Sequence, residues 1–323
     1  MTSIAQVVVI RNLNDSEVVE KRCRVKMNHY DIVFIGQLGM GTVVPFRGSP
    51  FIEPGGPALF APIGASCLGK RIATVTRISE SDEYPLEPFK SAGIDVFMLP
   101  GGISQYRVVF PTADFDQRQG FVKGRGDFLI TDIPPFEPCL VHLCCMTGPG
   151  LQLELLRALR ARGFRLSVDM QGFVLQADEE TGLVDFKDVP DKKDIVAMAD
   201  FVKLDAMEAR ALTGAEVVQH QADILEGWGS SEIVITSSEG TLVKSEGKTT
   251  FVKFTNRSTR GRMGRGDTLI GAYLARRLDH SVEDSLRFAT ALTSIKMEST
   301  GPFRGSLDDV LKRMERIPTP PAP

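Results

Sequence analysis

The feature that most constrains the fold of this chain is a regular alternation of short apolar runs with helix-like stretches. Such alternation is typical of an α/β fold whose central sheet is mainly parallel. Ligands of these sheets bind at the carboxyl ends of the strands, which is where we expect a site. The runs that predict strands span residues 32–35, 72–75, 141–143, 166–168, 201–204 and 233–236, and the stretches that predict helices span residues 58–68, 151–162 and 207–212.

One glycine-rich turn late in the chain carries a candidate catalytic carboxylate. Residues 264–267 are Gly-Arg-Gly-Asp, and apolar residues then recur every four positions, at Ile270, Leu274 and Leu278, which predicts an amphipathic helix. Glycine lets the backbone approach a ligand closely, and the N–H groups and dipole of a helix N-terminus attract anions. Beside a bound phosphate, Asp267 would accept a proton from an attacking hydroxyl. The alternative is an ordinary tight turn in which Asp267 is the N-cap.

The same tetrapeptide occurs at residues 124–127, where its context differs. The residues that follow it, 128–133, are mostly apolar and end at Pro134 and Pro135, which predicts a strand that stops at a proline break. Because no helix N-terminus is expected beside this copy, we interpret residues 124–127 as a loop without a catalytic role.

Composition and charge narrow the class of protein. The 323 residues carry a net charge of −3, which does not indicate a nucleic acid or an anionic membrane as partner. The five cysteines are odd in number and lack metal-site spacing, as expected of reduced residues in a cytoplasmic protein. No apolar run approaches the length of a membrane span. We therefore expect a cytoplasmic globular protein that binds neither nucleic acid nor membrane.

Two segments, residues 42–53 and 104–119, interrupt the alternation of strands and helices. We predict that they pair as a small β flap, or lid, over the site. The main domain is expected to span residues 30–315. It would follow an N-terminal extension of unclear role, residues 1–29, and precede a mobile proline-rich tail, residues 316–323, because consecutive prolines suit neither helix nor strand.

Several segments together resemble the ribokinase-like carbohydrate kinases, the PfkB family. The signature of that family, Asp-Thr-x-Gly-Ala-Gly-Asp-Thr-Phe, compares with Gly-Arg-Met-Gly-Arg-Gly-Asp-Thr-Leu at residues 261–269. A diglycine at residues 55–56 and a Glu-Ala-x-x-Leu-Thr-Gly stretch at 208–214 match in position. Residues 169–173, followed by 182–185, are most similar to the inositol-kinase-like branch.

The resemblance implies a three-layer α/β sandwich with a lid, and an ATP-dependent transfer of phosphate to a hydroxyl of a small sugar, polyol or nucleoside. Asp267 would be the general base, and the N–H groups of Arg265, Gly266 and Asp267, after Gly264, would hold the developing phosphate charge. Glu208 would bind Mg²⁺ through water, and lids would pair in a homodimer. Residues implied for the donor are Asp205, Glu208, Thr236, Ser238 and Gly240, and those implied for the acceptor are Gly55, Gly56, Asp169 and Gln171.

Several of these residues have a purely structural alternative. Asp205 and Glu208 have the spacing of a capping box, Gly55 and Gly56 are also an ordinary loop pair, and residues 169–171 suit a turn at the end of a strand. The match at residues 236–240 is partial, because Ser238 stands where the family has glycine.

Two departures within the signature concern charge. The family's leading aspartate, often a ligand of an activating potassium ion, is Gly261 here, so the resemblance does not imply activation by a monovalent cation. The family's alanine between the glycines is Arg265. Its guanidinium would contact phosphate oxygens, pair with a carboxylate or face solvent, and we expect the last.

Two other functions remain open at this stage. A ribokinase-fold protein that binds a nucleotide or metabolite without turnover would fit the altered residues, although retention of Asp267 argues against it. A Rossmann-type nucleotide enzyme needs Gly-x-Gly-x-x-Gly after the first strand, and residues 36–41 have the wrong spacing.

Overall fold

The computed structural model describes residues 27–114, 116–124, 126–145 and 152–318. Most of the predicted extension, and residues 319–323 of the predicted tail, lie outside the described residues. The strands are β1 (Ile32–Gly36), β2 (Gly39–Val44), β3 (Phe51–Gly55), β4 (Ile72–Arg77), β5 (Asp95–Leu99), β6 (Ser104–Val109), β7 (Gln119–Lys123), β8 (Leu140–Cys144), β9 (Arg165–Asp169), β10 (Leu175–Ala177), β11 (Leu183–Phe186), β12 (Phe201–Asp205), β13 (Glu232–Thr236), β14 (Gly240–Ser245) and β15 (Lys248–Lys253). The helices are α1 (Pro57–Ala65), α2 (Glu87–Ser91), α3 (Gln152–Ala161), α4 (Gln171–Val174), α5 (Lys192–Met198), α6 (Ala206–Thr213), α7 (Val218–Glu226), α8 (Arg265–Arg277), α9 (Val282–Met297) and α10 (Leu307–Met314).

A nine-stranded sheet forms the centre, in the order β15-β14-β13-β12-β9-β8-β1-β4-β5. The seven strands from β13 to β5 pair in parallel, and β14 and β15 extend the sheet antiparallel. All six predicted strands are present within this sheet. β1, β8, β12 and β13 are buried at every residue, as expected of strands covered on both faces.

Helices cover both faces and make the fold a ribokinase-like α/β sandwich. One core contains the apolar faces of α3, α5, α6 and α7, and the other contains those of α1, α8, α9 and α10. Glycine sets the distance between α1 and α8, because a Cβ on Gly271 would lie 1.9 Å from the Ala61 carbonyl oxygen. This close packing fixes the start of α8, where the glycine-rich turn lies.

The lid is a second sheet in the order β10-β11-β7-β6-β2-β3. Its strands overlap both predicted lid segments, since β2 and β3 extend beyond the two ends of the first and β6 begins the second, and β2 pairs with β6 in parallel. β10 and β11 complete this sheet at its other edge, and the sequence pattern did not predict them.

The strand predicted over residues 128–133 is wrong. A single 3₁₀ turn, Ile130–Asp132, occupies this stretch. The Asp132 carboxylate accepts the Leu129 N–H at 3.0 Å and pairs with Arg77 at 2.6 Å, so the chain turns instead of extending. The loop predicted for the first Gly-Arg-Gly-Asp copy is confirmed at the three of its residues that the structure describes.

At the C-terminus, Ile317 is buried and its carbonyl accepts a hydrogen bond from Arg287 at 3.0 Å. Packing therefore extends two residues into the segment that was predicted to be a mobile tail. Among the residues that the structure describes, no helix is both long enough and apolar enough to cross a membrane.

Replacing Gly271 by alanine should destabilise the protein despite the higher helix propensity of alanine. Because the added methyl would overlap the Ala61 carbonyl, we expect the free energy of unfolding to fall by about 1–3 kcal/mol. Urea denaturation measures the change. The matched control is Gly227→Ala at the end of α7, where φ is −62° and an added Cβ would lie 3.3 Å from the Ile224 carbonyl oxygen, with an expected change below about 1 kcal/mol. Equal stability of the two variants would contradict this account of the α1–α8 contact.

Candidate active site

Helix α8 begins directly at the glycine-rich turn. Gly264 is its N-cap, with a left-handed φ of 70°, and a Cβ at this position would lie 2.2 Å from the Phe60 ring. Only glycine satisfies both the backbone angle and the contact. Asp267 lies within the first helical turn and is not the N-cap, so the tight-turn alternative does not describe this segment.

The Asp267 side chain borders a cavity beneath the lid. Its Oδ1 atom is buried and has no hydrogen-bond partner among the described residues. Burial raises the pKa of Asp267 to about 6, with Lys203 and Lys296 opposing the rise and Asp169 adding to it. A buried carboxylate that has a raised pKa and one oxygen without a partner is suited to accept a proton from a ligand.

Lys203 lies beneath the turn, on the buried strand β12. Its Nζ atom is 2.9 Å from Asp169 and 4.0 Å from Glu208, and a Cβ on Gly266 would lie 2.8 Å from it. Burial alone would lower the pKa of Lys203, but the surrounding carboxylates outweigh burial and raise it, so this ammonium stays charged. Lys203 had no predicted role, although a lysine within an apolar strand is the signal that could have identified it.

Asp205 and Glu208 form a capping box at the start of α6, which was the structural alternative to a role in donor binding. Asp205 Oδ1 accepts the N–H groups of Met207 and Glu208 at 2.9 Å, and Glu208 Oε2 accepts the Asp205 N–H at 2.7 Å. Arg118 then adds a contact from the lid, at 2.6 Å to Asp205 and 3.1 Å to Glu208. Despite burial, Arg118 and Lys203 hold the pKa of Asp205 below its usual value, whereas burial and the Asp205 charge raise the pKa of Glu208.

The loop that precedes β7 joins the lid to the glycine-rich turn. The Asp116 carboxylate accepts the Ser238 N–H at 2.6 Å and pairs with Arg265 at 3.0 Å. The expectation that Arg265 faces solvent is therefore wrong, since its side chain is only 6% exposed. Its counter-charge comes from a residue 149 positions away in the sequence, which local pattern does not predict.

The predicted anion site also needs a correction. The Arg265 N–H donates to the Arg262 carbonyl at 3.1 Å, so it supports the turn and does not point at a ligand. The N–H groups of Gly266 and Asp267, in the first turn of α8, remain as candidate donors to a bound anion.

Glu208 is the residue predicted to bind Mg²⁺ through water, and its carboxylate is engaged within the protein. Carboxylate oxygens suit Mg²⁺, but both oxygens of Glu208 already accept hydrogen bonds, from Asp205 and Arg118. A direct bond to the metal would have to displace one of them. In the described parts of the chain, no group of three or more His, Cys, Asp or Glu residues is arranged to hold a metal ion.

Most of the predicted site residues meet at the carboxyl ends of three neighbouring strands. Asp169 ends β9, Asp205 ends β12 and Thr236 ends β13. The predicted residues that line the cavity are Gly56, Gln171, Asp205, Thr236, Gly264, Arg265, Gly266 and Asp267, and the unpredicted charged ones are Arg118, Lys203 and Arg262.

The remaining predicted residues lie around the cavity and not in its lining. Asp169 and Glu208 contact Lys203 from behind, and Asp169 also accepts the Gln171 N–H at 3.0 Å, which is the turn of the structural alternative. The Gly55 carbonyl accepts the Tyr84 hydroxyl at 2.8 Å. Gly240 begins β14, where a Cβ would lie 2.3 Å from the Val252 carbonyl, and Ser238 is connected to the site through Asp116, as described above.

Comparisons of the sequence and of the structure with known proteins both find kinases. The family model described as pfkB family carbohydrate kinase matches residues 177–308. A cytidine kinase of Thermococcus kodakarensis is 29% identical over 222 residues, which are 66% of this chain and 75% of that protein.

Among solved structures, a pyrophosphate-dependent kinase in the ribokinase family, complexed with a pyrophosphate analog and myo-inositol, is similar with a TM-score of 0.77. It is 27% identical, and the match covers 87% of this chain and 99% of that one. Arabidopsis thaliana ribokinase, complexed with ribose and ATP, has a TM-score of 0.67 at 16% identity, over 89% of this chain and 99% of that one, and shows the fold alone.

Removing the Arg118 guanidinium should destabilise the folded protein. Arg118→Met leaves the buried Asp205 and Glu208 carboxylates with Lys203 as their remaining close cation, so we expect a loss of about 3 kcal/mol in the free energy of unfolding. Urea denaturation at constant salt measures it. The control is Arg210→Met, which removes an exposed pair with Glu216 and should cost less than about 1 kcal/mol. Similar losses in both variants would mean that Arg118 is not part of a buried pair.

Proposed function

We propose that this chain, which belongs to the pfkB family of carbohydrate kinases, is an ATP-dependent phosphotransferase that acts on a hydroxyl of a small polyol, sugar or nucleoside. The observation that carries the proposal is the Asp267 carboxylate, which has a buried oxygen without a partner at the start of α8 and a raised pKa. Cytoplasmic location is part of the same proposal.

In the proposed mechanism, the acceptor hydroxyl lies in the cavity beside Asp267. The carboxylate takes the hydroxyl proton as the oxygen attacks the terminal phosphorus of the donor. The N–H groups of Gly266 and Asp267, together with the α8 dipole, stabilise the charge that develops on the transferring group. Lys203 lies directly behind Gly266 and adds positive charge that is fixed in place by Asp169.

Magnesium, if bound, would neutralise part of the charge on the donor phosphates. Glu208 is the residue proposed to hold its water. The lid positions Arg118 and Asp116 over the same region, and we propose that its closure keeps water away from the donor, so that the acceptor receives the phosphate.

A second candidate donor is inorganic pyrophosphate. Arg118, Lys203, Arg262 and Arg265 line one cavity, and guanidinium and ammonium groups suit a donor made only of phosphate groups. Two solved structures of 27% and 28% identity belong to a pyrophosphate-dependent kinase in the ribokinase family, which favours testing this donor beside ATP.

A screen of donors against acceptors tests the proposed function. ATP and pyrophosphate are each combined with myo-inositol, cytidine and ribose, and the release of ADP or phosphate is measured together with the phosphate ester by ³¹P NMR. Release that depends on one acceptor supports a kinase and identifies its substrate. Tight nucleotide binding without ester formation over the whole panel would instead support the non-catalytic alternative.

Pairing of lids between two copies is a further part of the proposal. β3 forms one edge of the lid sheet, and its Ile52 side chain is 72% exposed. An exposed edge strand with an apolar residue can pair with another strand. Sedimentation equilibrium of the wild-type protein and of Ile52→Lys distinguishes a dimer from a monomer.

The two identical tetrapeptides provide a matched pair of variants. Asp267→Asn should retain the fold and donor affinity and lower turnover by about two to four orders of magnitude, because only proton acceptance is lost. Asp127→Asn should remain within a few-fold of wild type, since no α-helix begins beside Asp127. Steady-state kinetics with the identified acceptor measures both. Equal sensitivity of Asp127 and Asp267 would place the base elsewhere.

The pH dependence of kcat/KM should follow the raised pKa of Asp267. Only the carboxylate form accepts a proton, so activity should rise as pH increases through about 6 and then level off. A rising limb near the usual value for an aspartate, or no limb at all, would contradict the role of Asp267 as base.

A further inference from the structure

A second buried lysine, Lys296 on α9, has no part in the mechanism described above. Its Nζ atom donates hydrogen bonds to the Gly261 carbonyl at 2.5 Å and to the Met263 carbonyl. The ring centroid of Phe60 lies 4.6 Å from the same nitrogen. The side chain is almost completely buried, at 2% exposure. Lys296 therefore contacts two of the three residues that lead into the turn at Gly264, namely Gly261 and Met263.

The surroundings of this ammonium differ from those of Lys203. Among the described residues, no carboxylate oxygen lies within 4.0 Å of Lys296, and the carboxylate of Glu53, the main source of favourable charge, accepts a hydrogen bond from the Gly301 N–H at 3.0 Å. Backbone carbonyls and an aromatic face surround the positive charge. These are the groups that bind a monovalent cation such as potassium or ammonium.

The segment that carries the two carbonyls is itself held tightly. The Gly261 N–H donates to the Met297 carbonyl at 2.8 Å, and a Cβ on Gly261 would lie 1.7 Å from the Ser299 carbonyl oxygen. No side chain fits there, so no carboxylate of this residue can accompany a cation. Arg262 lies between the two residues whose carbonyls Lys296 contacts. Its own carbonyl accepts the N–H of Arg265, the first residue of α8, at 3.1 Å.

We propose that Lys296 is a tethered monovalent cation, whose ammonium holds the Gly261 and Met263 carbonyls and thereby positions the catalytic turn without an external ion. Lys296 is in this sense a positioning residue, since it acts on Asp267 through residues 261–264, in addition to its charge, which lowers the pKa of Asp267. The inference rests on the proposed function for its effect on turnover, but its effect on the carbonyls exists whether or not the protein is a kinase.

The proposal predicts that a free monovalent cation can replace the ammonium group of Lys296. Lys296→Ala removes the ammonium and leaves two inward-facing carbonyls around a space that was filled by a side chain. Potassium or ammonium ions should occupy that space and stabilise the variant by binding to its folded form. Larger organic cations should not fit.

The first measurement is the melting temperature in chloride salts of potassium, ammonium and choline at constant ionic strength. We expect wild type to be indifferent to the cation and Lys296→Ala to melt higher in potassium or ammonium than in choline, with saturation. Lys244→Ala is the matched control, because Lys244 pairs with the carboxylates Asp223 and Glu226 and should show no selective response. Absence of a selective shift in Lys296→Ala, or an equal shift in Lys244→Ala, would overturn the proposal.

The second measurement is turnover with the acceptor that the screen identifies. Misplacing the turn should lower the turnover of Lys296→Ala by up to about a hundredfold in choline, and potassium or ammonium should restore much of it. Lys296→Met fills the same space without charge, so it should be slow and insensitive to the cation. Wild-type turnover in Lys296→Met, or strong potassium dependence of the wild-type enzyme, would overturn the proposal.

The two measurements separate the inference from the proposed function. If no acceptor is phosphorylated, the melting temperatures still decide the role of Lys296. If Lys296→Ala folds only in the presence of potassium or ammonium, that result supports the proposal. If it folds with neither ion, the turnover and melting temperature of Lys296→Met decide whether the ammonium positions the turn. If the protein is a kinase but its Lys296 variants do not respond to the cation, the proposed function stands and the inference about Lys296 is wrong.

Discussion

Charge compensation around the first turn of α8 is the constraint on which the rest of the site depends. Buried carboxylates are tolerated only when cations and hydrogen bonds offset the loss of water. Lys203 compensates Asp169 and Glu208 from within the sheet, and Arg118 compensates Asp205 and Glu208 from the lid. Asp267 is left with a buried oxygen that no described residue satisfies, and a ligand hydroxyl is its proposed partner.

The same constraint connects the lid to the chemistry. Asp116 and Arg118 lie on one loop of the lid, and both contact residues around the proposed donor position, namely Arg265, Ser238 and the capping box of α6. A lid that opened would separate these pairs and expose their charges to water. Under the proposed function, closure would change the electrostatics of the site as well as its access to solvent, and would so favour transfer to an acceptor over transfer to water.

The sequence pattern predicted those parts of the molecule whose structure depends on interactions between residues close in the sequence. The six strands, the helix that follows Gly264 and the two lid segments each depend on the periodicity of neighbouring residues. The errors concern residues whose partners are distant in sequence. Arg265 is buried because Asp116 reaches it, and the apolar run after Asp127 turns because Asp132 pairs with Arg77. The sequence indicates the burial of Lys203 and Lys296 only weakly, through their position in apolar segments, and it does not show which residues they contact.

The most direct test of the central claim is a crystal structure of the complex with the identified acceptor and a non-transferable analogue of its donor. The account predicts that the reacting hydroxyl lies within hydrogen-bond distance of the Asp267 carboxylate, about 2.6–3.2 Å, with the terminal phosphate against the Gly266 and Asp267 N–H groups. An acceptor hydroxyl that contacts a different base, with Asp267 turned away from the ligand, would contradict it.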